Sequence, residues 1–195
     1  MPPLPIRLVR RLAHLALVLL VVCAVHGPGS AAWASLENDR YDGNIFALYA
    51  GNGSLVPPRS TLAQALDEHR VAVVVYYLDD SSASKRFAPV VSELQRLWGN
   101  SIELIPLVTD PLVPGGAAPS RPPGDPARYW SGLIPEVVVF DQQGKPVFSR
   151  HGQVPIDAIN TAVSKATGIP LPNGAAKTRT LSFNELNSEV VSGSR

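Results

Sequence analysis

Residues 71–98 read VAVVVYYLDDSSASKRFAPVVSELQRLW, and the way this stretch divides decides the fold. Val71 to Leu78 is a continuous apolar run rich in β-branched side chains, the composition of a strand buried on both faces. Asp79, Asp80, Ser81 and Ser82 follow, with side-chain oxygens able to cap the free N–H groups that open a helix. Beyond them Phe87, Val90, Val91, Leu94, Leu97 and Trp98 recur at three- and four-residue steps, which predicts a helix with one apolar face. Pro89 falls inside that pattern and predicts a kink, because it removes a donor and crowds the preceding turn.

Downstream, Ile102 to Val108 reads as a second buried strand, interrupted near its middle by Pro106. From Pro111 to Arg128 the chain is rich in Pro, Gly and Ala without periodicity, the mark of a functional or disordered loop insertion. Ala127 to Trp130 reads as a helical turn rejoining the fold just before Ile134-Pro135. Val137 to Phe140, the turn Asp141 to Gly144, and Val147 to Arg150 make a hairpin. Pro155 opens a helix through Ala166 whose Ile156, Ile159, Ala162 and Val163 face inward, and Gly168 and Pro170 end it.

Upstream, Ile45 to Ala50 reads as a strand, with Gly51-Asn52-Gly53 as the turn of a hairpin returning through Ser54 to Val56. Pro57-Pro58 stops it. Thr61 then caps a short helix through His69 with Leu62, Ala65 and Leu66 inward. The order of elements predicts an α/β fold, a mixed central sheet flanked by helices, over residues 61–169. Residues 35–60 form an N-terminal extension with a hairpin, and residues 170–195 a C-terminal tail. In the tail Ser182 and Glu185 have capping-box spacing, and Phe183, Leu186, Val190 and Val191 line one face of a short helix. Such a helix is marginal alone and needs its own domain or a partner to dock on.

Residues 1–34 read as an export signal. Arg7, Arg10 and Arg11 form its charged end, Leu12 to Val25 its apolar core, and Ala32-Trp33-Ala34 a small-x-small cleavage pattern. The apolar run is short for a membrane span, although an uncleaved leader would serve as a membrane anchor. Formal charge is +1, but three of the 17 basic side chains belong to this leader. The rest of the chain sets 14 against all 16 acidic ones, a net of −2. No basic stripe is present, which argues against nucleic-acid binding. Cys23 is the single cysteine and lies in the leader. Val22 before it argues against a lipoprotein box, which wants a small residue there. Asn38, Asp39, Asp42 and Asn44 gather oxygen ligands but lack calcium-loop spacing and the closing glutamate, so they read as a solvated turn. No metal and no cofactor is expected.

The strand and helix of residues 71–98 resemble the active-site unit of thioredoxin. There a Trp-Cys-x-x-Cys-Lys motif sits at the strand-to-helix turn, with a proline five residues after the second cysteine. Here the frame reads Asp80-Ser81-Ser82-Ala83-Ser84-Lys85, with Pro89 in place, and both cysteines are serine. The acidic residue that thioredoxins bury six positions before the first cysteine falls on Val75. Gly132-Leu133-Ile134-Pro135 before Val137 to Phe140 resembles the cis-proline loop. The resemblance implies a thioredoxin-like fold with its redox chemistry removed. Without a second thiol the chain cannot run dithiol exchange, and a serine alcohol is too weak an acid for a helix dipole to ionise. An activated Ser81 or Ser84 would need a base within reach, and His69 and His151 are the only histidines beyond the leader. A serine that orients glutathione, as in some transferases of this fold, is the enzymatic alternative. What the resemblance leaves is a groove formed by Ser81, Ser82, Ser84, Tyr129, Trp130, Ile134 and Pro135, in which the residue before a cis-proline offers its backbone to an extended peptide. Tyr129 and Trp130 are either exposed anchors there or packing beneath the long loop.

Three further stretches carry a narrower resemblance: YDGNIFALYAGNGSLVPP at 41–58, Asp79-Asp80-Ser81-Ser82 leading to Lys85, and Ser182-Phe183-Asn184-Glu185. They are similar to the thioredoxin-like photosystem I accumulation factors of cyanobacterial thylakoid membranes. This implies a non-catalytic, membrane-associated protein on the lumenal side of the thylakoid. Its client would be a photosystem I subunit or assembly intermediate. A general chaperone-like relative of the lumen or periplasm is the alternative.

Overall fold

The computed structural model describes His14 and residues 35–112 and 121–171. The expectations for the leader, for Cys23 and for a helix in the tail lie outside these residues, as does the loop at 113–120. The chain divides into two units, Met1–Ala34 and Ser35–Arg195, and the second holds the fold.

The elements run α1 (Ile45–Ala50), α2 (Leu62–Asp67), β1 (Ala72–Tyr77), α3 (Ser82–Trp98), β2 (Glu103–Val108), β3 (Glu136–Phe140), β4 (Pro146–His151) and α4 (Ile156–Thr167). The sheet order is β2-β1-β3-β4. β1 lies parallel to β2, and β3 is antiparallel to both β1 and β4. A parallel pair bridged by a helix, then a hairpin and a helix, is the thioredoxin arrangement.

Alternation along β1 sends side chains to two separate cores. Val73, Val75 and Tyr77 join Val137 and Val139 against α1, α3 and α4. Ala72, Val74 and Tyr76 join Val138 and Phe140 against α2 and Trp130. All six β1 residues are buried, as an unbroken apolar run demands. β2 continues through Pro106, which pairs with Val75, instead of being interrupted there. Its position at the sheet edge explains this, since a residue with no N–H is tolerated where one side of the strand has no neighbour. α3 likewise runs unbroken across Pro89, which sits on its exposed face.

The expected hairpin at 45–56 is instead a helix followed by a single 3-10 turn at Gly53–Leu55. Asn44 caps α1 by accepting from the amides of Phe46 and Ala47 at 2.9 and 3.1 Å. Gly51 closes it in the left-handed region (φ 60°), where a side chain is disfavoured. Burial falls on Ile45, Phe46 and Tyr49, a helical spacing; a strand would have buried alternate residues. α2 opens as expected, with a reciprocal capping box between Thr61 and Gln64. It stops at Asp67, short of His69, whose φ of 54° is not helical. On the far side of α2 the segment 122–125 lies so close that a Cβ on Gly124 would stand 2.7 Å from that of Ala63.

Candidate functional site, a thiol-free turn beside a proline loop

β3 opens opposite Tyr76, near the end of β1. The α3 turn and the proline loop therefore share one pole of the sheet. The Gly152–Gln153 connection joins them. Its Gly152 N–H donates to the Pro135 carbonyl at 2.7 Å, and Gln153 Nε2 donates to the Ala83 carbonyl at 2.7 Å. The Ile134–Pro135 bond is cis.

The serines serve the backbone. Ser81 is the N-cap of α3, its hydroxyl accepting from the Ser84 amide at 3.3 Å. Buried Ser84 accepts from the Leu78 amide at 3.2 Å. Asp79 and Asp80 do not cap α3. Asp79 instead accepts from Ile45 N–H at 3.1 Å, and burial pushes its carboxyl above the usual carboxylate range. Neither histidine is hydrogen-bonded to either serine among the described residues. His69 lies before β1, at the opposite pole.

Tyr129 and Trp130 divide from the serines, because they pack on the opposite face of the sheet from α3. Trp130 is buried, stacked 6.4 Å from Tyr76, and donates its Nε1–H to the Leu133 carbonyl at 3.0 Å. Tyr129 packs edge-on to Phe140 at 4.7 Å and donates to the Pro123 carbonyl. They support the loop from behind and are not exposed anchors. Pro135 is buried as well. What faces outward is Leu133, 49% exposed, beside half-buried Ile134. Ile134's own N–H and carbonyl make no hydrogen bond to any described residue.

Glu136 completes the loop and was not legible as part of it. Buried at the start of β3, its Oε2 accepts from both the amide and the hydroxyl of Ser131 at 2.8 Å, and its Oε1 from Ser149 at 3.1 Å. Glu136 and Trp130 thus grip residues 131–133 from both ends.

The largest departure from expectation is Asn38, Asp39, Asp42 and Asn44. Asn38 and Asp39 are exposed on a turn, as expected, but Asp42 and Asn44 are drawn inward and the turn is wrapped on a lysine. Lys85, with no exposed surface, drives its ammonium into the strap Ser35–Asp42. Nζ donates to the carbonyls of Ser35 (3.3 Å), Asn38 (3.2 Å) and Arg40 (2.6 Å), to Asn38 Oδ1 (3.3 Å) and to Asp42 Oδ2 (2.7 Å). The Lys85 bond, followed by the Tyr49 hydroxyl at 2.8 Å, holds the Asp42 carboxyl below its usual range. Burial, then the Asp42 carboxylate, raises the Tyr49 hydroxyl to about 12. Asp39 accepts from Ser82 N–H at 2.7 Å, which lowers its carboxyl too. Asn44 belongs to α1 as its cap. An oxygen cluster suited to a cation has a lysine ammonium in it, and among the described residues no group of His, Cys, Asp or Glu could hold a metal ion.

A polar cavity of about 330 Å³ lies elsewhere, between Arg59, Arg70, Asn100 and Glu103. There Arg70 Nε lies 2.9 Å from Glu103, Ser60 donates to the same carboxylate at 2.7 Å, and Arg59 donates to Asn100 Oδ1 at 3.1 Å. Among the described residues no helix is long and apolar enough to cross a membrane.

No family model matches the chain. Among solved structures, it is similar to the exposed lipoprotein thioredoxin Etrx1 of Streptococcus pneumoniae strain TIGR4. That likeness has 14% identity over 53% of this chain and 89% of that one, with a TM-score of 0.38. Among curated proteins, it is 37% identical over 160 residues to the thylakoid membrane protein slr1796 of Synechocystis sp., covering 82% of this chain and 78% of that protein. By that extent of identity, the chain belongs to the family of the thylakoid membrane protein slr1796.

Proposed function

We propose that this is a non-catalytic thioredoxin-fold protein that binds a client polypeptide at the thylakoid membrane, on its lumenal side, and assists photosystem I accumulation. The thylakoid location is carried over from the relative and the photosystem role from the sequence resemblance. Binding rests on one structural observation, the open backbone of Ile134 beside exposed Leu133. A main-chain donor and acceptor at a loop held from behind suit an extended peptide, and Leu133 supplies an apolar contact. The Ser81 and Ser84 hydroxyls are occupied by backbone amides, which speaks for binding over nucleophilic or glutathione chemistry.

The test is a gene deletion complemented with the wild-type chain or with Leu133→Asp, scoring photosystem I against photosystem II content and co-purified photosystem I subunits. Deletion should lower the photosystem I share, and Leu133→Asp should fail to restore it while losing the subunits. An unchanged ratio on deletion discards the assembly role.

A further inference from the structure

We propose that Ser35–Asp42 is an intramolecular plug that closes the α3 end of this groove, leaving Leu133–Ile134 as the part open to another protein. In a helix that begins at a strand end, the first N–H groups are unsatisfied and attract anions or a partner's acceptors. Here the chain fills that place itself. Asp39 takes the Ser82 N–H, and the Ser81 hydroxyl takes the Ser84 N–H. Lys85, next in the helix, is enclosed by five oxygens of the same strap. The outer face is tied down too, with Arg86 Nη1 donating to the Leu36 carbonyl at 3.4 Å and lying 3.9 Å from Glu37. A strap held by a carboxylate on the helix end, a buried ammonium and an outer guanidinium is a seated ligand and not a linker.

The consequence for access rests on the docking role proposed for the groove, whereas the test reads thiol chemistry and needs no client. A thiol placed at the cap reports the field at the helix end. The charged groups around it are Glu37, Asp39, Asp42, Asp79, Asp80, Lys85, Arg86 and Asp110. In the full chain carrying Cys23→Ser and Ser81→Cys, iodoacetamide alkylation is followed against pH, with and without Asp39→Asn. The carboxylate opposes thiolate formation and occupies a helix donor, so removing its charge should lower the alkylation midpoint. At neutral pH the rate should rise about threefold per unit of that shift, because a more acidic thiolate is also a weaker nucleophile. Identical midpoints in the two proteins would overturn the plug.

Hydrogen exchange of the unsubstituted chain gives a second readout that needs no variant. The Ser82 amide should be protected like those of Ser84 and Lys85, and exchange at an open-chain rate would equally overturn it. A client lost with Leu133→Asp while the thiol midpoint stays fixed sinks the plug alone. A shifted midpoint with no client bound sinks the docking role alone.

Discussion

Replacing Lys85 with methionine keeps the apolar stem of the side chain and deletes its charge. In the folded protein the ammonium has five oxygen acceptors between 2.6 and 3.3 Å and lies 5.6 Å over the Tyr49 ring. Lys85→Met therefore leaves three carbonyls and an amide oxygen without the ammonium, and the Asp42 carboxylate with only the Tyr49 hydroxyl and the Ser35 N–H. Removing one partner of a deeply buried pair costs about 3–5 kcal/mol, because the other is left uncompensated. The oxygens freed here belong to a strap one layer deep, and water reaches them once it lifts. The expected loss falls to about 2 kcal/mol for that reason. Urea unfolding of the full chain at pH 7 should show this as a midpoint about 0.7–2 M lower at ordinary m-values. Limited proteolysis should in parallel open cleavage after exposed Arg40, whose carbonyl Lys85 holds in the folded protein. Adding Asp42→Asn to Lys85→Met should recover part of the loss by removing the stranded charge. A Lys85→Met midpoint equal to wild type, with unchanged slope, would refute the idea that this ammonium organises the N-terminal segment.

Three further outcomes follow from the same geometry. The Asp39 and Asp42 carboxyls are held below the usual carboxylate range when folded, Asp39 by the Ser82 N–H and Asp42 by Lys85, so their contribution is complete above the unfolded carboxylate range and is lost as pH falls through their folded values. Strap-specific amide protection at Ser82 should accordingly disappear in acid before the β1 amides exchange. Asp79 has the opposite sign: burial raises it, its ionised form is unfavourable when folded, and Asp79→Asn keeps the acceptor for Ile45 N–H. That substitution should leave the thermal midpoint at pH 7 unchanged or higher, and a lower midpoint would contradict it. Trp98 Nε1 donates to Asn160 Oδ1 at 2.9 Å in the buried layer between α3 and α4. Trp98→Phe should cost about 1–3 kcal/mol beyond its lost packing, measured by urea unfolding, because it strands a buried acceptor. Trp98→Phe together with Asn160→Leu should lose less than the two single changes summed.

The unbroken apolar run of β1, the capped and periodic α3, the hairpin β3–β4 and the Gly168 stop were legible in the chain because each is set by local chemistry. Hydrophobic period, a capping oxygen and a turn residue need no knowledge of distant contacts. The Ser81 cap belongs with them, and so does the absence of thiols at the turn. Ile45–Ala50 misled because six apolar residues suit a strand or a helix by composition. What settled it was Asn44 capping one end, with Phe46 packed 4.9 Å from Tyr77.

Where the site is concerned, sequence could nominate Ser81–Ser84 and Ile134–Pro135 but could not assign sides. Trp130 and Tyr129 are near in sequence to the proline loop, yet they pack on the opposite face of the sheet from α3. Glu136 looked like one polar residue at a strand end, and only folding brought Ser131 and Ser149 to its carboxylate. Lys85 is the clearest case. Its place after the serines was visible, but its partners lie 43 to 50 residues earlier in the chain. The order of residues determined which groups carry charge and which can bond; tertiary packing chose the pairs, because a buried ammonium must find oxygens wherever the fold supplies them.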